Sequence, residues 1–128
     1  MSDSLKYVIR PLQASDILQV QECNLKCLPE NYQFKYYLYH YISWPHASFV
    51  AELNEEVVGY VLTKLEDEGT PTIRGHVTSL AVLGTFRKLG IAENLMKAAE
   101  KALQSIYQVT SVTLHVRVSN KAAIRLYK

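Results

Sequence analysis

A chain of 128 residues with 48% hydrophobic content is long enough to bury one core and too short for two domains. Its net charge of +2, from 14 basic and 12 acidic residues, is too mild for the dense basic face of a nucleic-acid binder, so no direct nucleic-acid contact is expected. The apolar runs fall short of the roughly 20 residues that span a bilayer, and Met1-Ser2-Asp3-Ser4-Leu5-Lys6 lacks the apolar core of a signal peptide, so a cytoplasmic protein with no membrane attachment is expected.

Residues 7–10 read as a short strand ending at Arg10-Pro11, and Ser15 as the N-cap of a helix with Asp16 in its first turn and Ile17, Val20 and Cys27 on one face. Cys23 and Cys27 stand one helical turn apart. A metal site would need further ligands at matching spacing, so they read as buried thiols and no metal is expected. Leu28-Pro29 breaks the helix, because the residue before a proline is driven out of the α region. A second helix follows, with Phe34, Tyr37, Leu38, Tyr41 and Ile42 at the amphipathic period, and Ser43-Trp44-Pro45 ends it. Residues 49–53 and 57–65 read as a hairpin around Asn54-Glu55-Glu56, with 66–71 as an exposed acidic loop. The near-continuous apolar run 77–83 predicts a central strand covered on both faces. From Ile91 a helix is expected to turn Leu95, Ala98, Ala102 and Ile106 inward. Residues 109–118 then form a strand with Leu114 and Val116 on alternate positions, and a last helix begins at Ser119-Asn120. The order predicts an α/β domain, a mixed β-sheet with helices on both faces.

Between His76 and Ala92 a buried strand passes into a helix through Gly84-Thr85-Phe86-Arg87-Lys88-Leu89-Gly90. A polyanion needs backbone N–H groups aimed at it, a residue small enough for close approach, and a cation nearby. A glycine loop entering a helix N-terminus supplies all three, and the stretch reads as a pyrophosphate site for an acyl-CoA. Lys88 reads either as a second phosphate cation or as a solvated surface lysine. The Gly-Lys-Ser/Thr ending that grips phosphate and Mg²⁺ is missing, which argues against a nucleotide hydrolase.

The spacing Arg87-x-x-Gly90-x-Ala92 resembles the acetyl-CoA signature of the GNAT acetyltransferases, and the element order resembles their fold. Further segments look like the catalytic subunits of NatA N-terminal acetyltransferases: Leu28-Pro29-Glu30-Asn31-Tyr32, residues 36–40, Ser43-Trp44-Pro45, Gly59-Tyr60-Val61-Leu62, residues 75–82 and Leu114-His115-Val116-Arg117. Pro29-Glu30-Asn31 separates that branch from NatB-like and NatE-like enzymes. The resemblance covers nearly the whole chain. It implies one GNAT domain over residues 1–128 that stops at Lys128, inside the final helix, and lacks the C-terminal strands and tyrosine-bearing hairpin with which family members close over the peptide.

The activity implied is transfer of acetyl from acetyl-CoA, with CoA as product, to the α-amine of nascent proteins whose first residue is Ser, Ala, Thr or Gly. The partners implied are the nascent polypeptide N-terminus, a large helical-repeat (TPR-type) auxiliary subunit and, through it, the ribosome. The tyrosine-rich helix is expected to form part of the auxiliary contact. Two alternatives stand beside this. In the shortened form the chain is an acetyl-CoA-binding and partner-binding module without turnover, or the isolated subunit acts on acidic N-termini or lysine side chains.

For the site, the side chains of Leu80, Ala81 and Val82 read as core, while their backbone N–H groups are the implied donors to the acetyl carbonyl and the pantetheine arm. Arg87, Lys88, Leu89, Gly90, Ile91 and Ala92 are the implied cofactor binders, with Asn120 on the last helix. Glu30 follows a helix break, where a chain reversal aims a carboxylate into a cleft and burial would raise its pKa. The alternative is a first-turn glutamate stabilised by the helix dipole; the family motif makes it the peptide-side acid or base. Leu28, Pro29 and Tyr32 would wall a small pocket for the first substrate residue. His76 and His115 each read as a hydrogen-bonded structural histidine or a proton relay. His115 matches a relay position in related enzymes, and His76 is placed with the substrate-binding residues. Which of Glu30 and His115 is the base stays open. Arg117 matches an arginine that orients Glu30 and the peptide, and Tyr127 one that could protonate the departing thiolate.

Overall fold

Two successive runs rich in β-branched and aromatic residues, 56–67 and 73–82, pair as long antiparallel neighbours and form the middle of the molecule. The computed structural model describes residues 6–28, 32–67, 73–86, 90–109 and 111–114. Within them lie β1 (Val8–Pro11), α1 (Ile17–Cys27), α2 (Phe34–Ser43), β2 (Phe49–Leu53), β3 (Glu56–Asp67), β4 (Ile73–Val82), α3 (Ile91–Ile106) and β5 (Ser111–Leu114). The described sheet has the order β1-β2-β3-β4-β5. The first three pairings are antiparallel and β4 runs parallel to β5, with α3 as the crossover that a parallel pair requires.

Helices cover both faces, as expected. Val61, Val77, Leu80 and Val82 pack with Ile91, Leu95, Met96 and Ala99 of α3. On the opposite face Val50, Tyr60, Leu62 and Ala81 meet Ile17, Val20 and Cys23 of α1 and Tyr37 of α2. The strand at 77–83 is interior as expected, but longer, and it stands next to β5 rather than at the middle of the described sheet.

Several local expectations are corrected. Ser15 is exposed inside the 3-10 turn Ala14–Asp16, and the N-cap of α1 is Asp16. The buried Asp16 carboxylate reaches back to accept the Gln13 N–H at 2.8 Å, which a serine hydroxyl one position earlier does not do. The inward residues of α2 are Tyr37 and His40, whereas Phe34 and Ile42 are 42% and 67% exposed. Counting apolar residues alone missed His40. The hairpin turn is tighter than expected, with Asn54 and Glu55 both at positive φ (52° and 67°) and Glu56 already in β3. β3 continues through Asp67, so residues 66 and 67 lie in the ladder rather than in a loop.

The inward stripe of α3 is Ile91, Leu95, Met96, Ala99, Ala102 and Leu103, while Ala98 is half-buried and Ile106 is 52% exposed. Leu103 takes the inward place because Gly75 beneath it carries no side chain. β5 begins at Ser111. Val109, expected in that strand, follows Gln108 at φ 57° and donates its N–H to the Leu103 carbonyl at 3.1 Å, capping the end of α3 instead. The expected strand residues 115–118 and the last helix lie outside the described residues.

Candidate functional site

The functional geometry starts at the C-terminal end of β4. Leu83 donates its N–H to the Val58 carbonyl at 2.8 Å, and the register pairs Tyr60 with Ala81 and Leu62 with Ser79. In an antiparallel ladder alternate residues turn their backbone groups to the partner, so Leu80 and Val82 direct theirs away from β3, toward the β5 side. The β4–β5 pairing runs from Arg74↔Ser111 to Val77↔Leu114, which places Leu80 and Val82 beyond the described end of β5. The Val82 carbonyl accepts the Cys27 thiol at 3.4 Å. Cys23 and Cys27 are not joined by a disulfide, their sulfurs being 3.9 Å apart.

Beyond β4 the chain makes the turn Gly84–Phe86 and re-enters regular structure at Gly90, the N-cap of α3, with φ 78°. This left-handed backbone is why a glycine stands there. The first helical bond runs from the Asn94 N–H to the Gly90 carbonyl at 3.0 Å. Helix geometry therefore leaves the N–H groups of Ile91, Ala92 and Glu93 without intrahelical acceptors, at the positive end of a 16-residue helix dipole. Ile91 is buried and fixes the helix against the sheet; Ala92 is half-buried and keeps the first turn narrow. The arrangement fits an anion. Glu93, the acidic residue of that turn, is engaged by Lys97 at 3.1 Å. Tyr7, which the sequence reading passed over, closes the flank: its hydroxyl accepts from Asn94 Nδ2 at 2.6 Å.

At the junction of α1 and α2, Leu28 is extended (φ −128°, ψ 145°), as a residue before proline must be, and its N–H bonds the Asn24 carbonyl at 3.0 Å. The Tyr32 ring stacks on Tyr36 with centroids 4.2 Å apart and meets Tyr37 edge-on at 6.1 Å, while its carbonyl accepts from Gln21 Nε2 at 3.3 Å. Burial, then the neighbouring Tyr36, pushes the Tyr32 hydroxyl pKa up, so the ring is a neutral wall at physiological pH. Leu28 and Tyr32 both pack on the cluster that contains Ala81, so the expected pocket wall and the end of β4 share one face of the sheet. His76 is buried on β4, in register with Lys64 of β3 and Thr113 of β5, about 13 Å along the strand from Leu80 at the usual rise.

The structure thus brings Leu80, Ala81, Val82, Gly90, Ile91 and Ala92 to one end of β4, flanked by Leu28 and Tyr32. Pro29, Glu30, Arg87, Lys88, Leu89, His115, Arg117, Asn120 and Tyr127 lie outside the described residues. Among the described residues no group of three or more His, Cys, Asp or Glu side chains is placed to hold a metal, and no helix is long and apolar enough to cross a membrane.

Sequence reasoning also missed three polar contacts under α1 and α2. The β3–β4 register shifts between Leu62 and Thr63, leaving Thr78 as the extra residue of a β-bulge. Thr78 Oγ1 lies 2.9 Å from His40 Nε2, and Ser79 Oγ lies 2.6 Å from the Tyr60 hydroxyl, which also accepts from Asn24 Nδ2 at 3.1 Å. The bulge lets consecutive residues face the same helices. The signal was present as a Thr-Ser pair inside the apolar run 77–83. Burial, which outweighs the bond to the Tyr36 carbonyl and is reinforced by Lys64 and His76, holds the His40 pKa below the usual histidine value.

The sequence pattern described as the Acetyltransferase (GNAT) family matches residues 17–128. The chain is 60% identical over 120 residues to the "N-terminal acetyltransferase complex ARD1 subunit homolog" of Dictyostelium discoideum, covering 93% of this chain and 58% of that protein. It is 56% identical over 120 residues to the "N-terminal acetyltransferase A complex catalytic subunit NAA10" of Arabidopsis thaliana, covering 93% of this chain and 62% of that one. The chain therefore spans about three fifths of the length of these curated relatives. Among solved structures, the NatC complex bound to Gag peptide and CoA superposes with a TM-score of 0.86 at 26% identity, over 96% of this chain and 82% of that one.

Proposed function

The chain belongs to the GNAT acetyltransferase family, and from that footing we propose that it is the catalytic portion of a NatA-type N-terminal acetyltransferase. It transfers acetyl from acetyl-CoA to the α-amine of nascent proteins that begin with Ser, Ala, Thr or Gly. The observation that carries the reading is the line from β4 through left-handed Gly90 into α3, which sets Leu80 and Val82 and the N-terminus of α3 together at the C-terminal end of β4. The names of the two relatives, at 60% and 56% identity, support the same chemistry.

Acetyl-CoA supplies an acyl group already activated as a thioester. The chain's part is to hold and orient. The N–H groups of Ile91 and Ala92, with Arg87, Lys88, Leu89 and Gly90, bind the pyrophosphate, and Asn120 assists. The backbone at Leu80 and Val82 aligns the acyl arm and supplies donors for the developing oxyanion, whereas Ala81, expected to share that role, turns its backbone to Tyr60 of β3. Leu28, Pro29, Tyr32 and His76 line the pocket for a small first residue. An α-amine with an unperturbed pKa of about 7.7–8.0 needs only a modest base near neutral pH, and Glu30 or His115 takes its proton. Arg117 orients Glu30, and Tyr127 returns a proton to the thiolate. Most of the acceleration then comes from positioning, which can supply several kcal/mol.

Leu18, Leu25, Phe34, Tyr39 and Ile42 expose large apolar side chains on α1 and α2. This surface supports docking of a helical-repeat auxiliary subunit that carries the enzyme to the ribosome, and hence a cytoplasmic location. The test is calorimetric titration of acetyl-CoA into the protein and into an Arg87→Ala, Gly90→Trp variant, followed by mass spectrometry on peptides beginning with Ser or Asp or carrying an internal Lys. Binding lost in the variant and transfer to the Ser peptide are expected. A folded parent that binds no acetyl-CoA overturns the reading; binding without transfer to any peptide leaves a cofactor-binding module.

A further inference from the structure

Thr78, the extra residue of the β4 bulge, has its hydroxyl 2.9 Å from His40 Nε2 and 3.2 Å from the Leu62 carbonyl. On the other side of the ring, His40 Nδ1 lies 3.0 Å from the Tyr36 carbonyl. A carbonyl only accepts, so the neutral ring carries its proton on Nδ1, and Nε2 accepts the Thr78 O–H. In the imidazolium both nitrogens carry protons. Nε2 then donates to Thr78 Oγ1, and the hydroxyl proton turns to the Leu62 carbonyl. The same four residues therefore support two hydrogen-bond patterns that differ by one proton, and the switch spans the bulge.

We propose that His40 is a positioning residue whose protonation state, read through Thr78, sets the bulge of β4 and thereby the aim of the Leu80 and Val82 backbone. These lie two and four residues beyond Thr78 on the same strand. Bulges re-aim the residues next to them, and a strand that aligns reacting groups is sensitive to small displacements. The titratable groups facing His40 are Tyr36 and Tyr39 of its own helix, Lys64 of β3 and His76 of β4. Buried beside Lys64 and His76, the ring is neutral at pH 7, which makes the Thr78 O–H to Nε2 pattern the working one. The consequence for turnover rests on the acetyl-transfer reading above; the consequence for the strand does not.

The two are separated by following backbone amide shifts of Leu80 and Val82, with the His40 ring resonances, from about pH 8 to about pH 5 in the complete protein. Both amides should move with the midpoint of His40, and His40→Gln should abolish that movement. In turnover of a fixed Ser-initial peptide, Thr78→Val should lower kcat about tenfold with KM within about twofold, and Thr78→Ser should restore kcat. His40→Gln should flatten the part of the acid limb of kcat that exceeds titration of the substrate amine. Amides indifferent to His40, or a folded Thr78→Val protein with unchanged kcat, overturn the proposal. If Thr78→Val does not fold, the amide titration decides. A protein that transfers no acetyl while its amides still follow His40 overturns the transfer reading and keeps this one.

Discussion

Leu103 of α3 packs onto Gly75 of β4 where a side chain would otherwise stand: a Cβ built on Gly75 would lie 2.7 Å from Leu103 Cδ1. Leu103 is fully buried and packed with Ala47 and Val109. Gly75→Ala should therefore destabilise the protein by about 1–3 kcal/mol through overpacking. Urea denaturation gives the value. In a double-mutant cycle, Gly75→Ala should cost less when Leu103 is already alanine, with a coupling of roughly 0.5–3 kcal/mol. Additive costs would show that the helix does not rest on this glycine.

The Arg10 guanidinium holds both carboxylate oxygens of Asp16, at 2.7 and 2.8 Å, and turns its Nε to Glu52 at 2.7 Å. β1 is thereby tied to the start of α1 and to β2. Burial alone would push the Asp16 pKa up, but the bonds from Arg10 and from the Gln13 N–H outweigh it and hold the carboxyl below its ordinary 3.8. A folded pKa below the unfolded one means stability that is complete above about pH 4 and is lost as pH falls through the folded value. Asp16→Ala should cost about 1–3 kcal/mol at neutral pH, toward the low end because Arg10 is partly exposed and keeps Glu52. The gap between parent and variant in denaturation midpoints should close below pH 4. A gap that persists undiminished at pH 2 would rule out the carboxylate as its source.

The Tyr60 hydroxyl sits between Ser79 Oγ and Asn24 Nδ2 in a fully buried position, and Asn24 Oδ1 already has no hydrogen-bond partner among the described residues. Burial first, against the opposing bonds from Ser79 and Asn24, raises its pKa far above the tyrosine norm, so the phenol stays protonated wherever the protein is folded. Tyr60→Phe strands the Asn24 amide and should cost about 1–3 kcal/mol. Tyr60→Phe with Asn24→Leu should cost less than the sum of the two changes, since both partners are then apolar. Thermal unfolding of the four proteins checks this, and strict additivity would contradict the bridge.

The elements described here could be read from residue order because each carries a local signature: the amphipathic period of α2, the β-branched runs of β3 and β4, and the proline after Leu28. What escaped the sequence depends on contacts between elements. Nothing local to α3 says that Leu103 is inward until Gly75 is known to lie beneath it. His40 reads as a polar residue until Thr78 meets it across 38 residues of chain. The bulge that presents Thr78 is a mismatch between two strands, a property of the pair and not of either sequence. At the candidate site, Gly90 was legible as a residue small enough for close approach in a loop entering a helix, while its positive φ came only with the structure; Tyr7 was not legible, since its hydroxyl reaches Asn94 across 87 residues.

Gly90 separates conformational cost from steric cost at the proposed cofactor site. Its φ is 78°, yet among the described residues an added Cβ would meet only the Tyr7 hydroxyl, at 3.9 Å. Gly90→Ala therefore strains the backbone without a clash, and a left-handed non-glycine residue costs roughly 1–2 kcal/mol. Gly90→Asn should recover much of that, because asparagine tolerates the left-handed region. If Gly90 only shapes the loop, the melting temperature falls in the order Gly, Asn, Ala and the acetyl-CoA affinity stays constant. If the first turn of α3 binds the pyrophosphate, relief of the strain rotates the Ile91 and Ala92 N–H groups, and affinity falls in the same order, about tenfold for each 1.4 kcal/mol lost. The second outcome is expected. Calorimetric titration of the three proteins, each shown to be folded at the temperature used, tells the two apart.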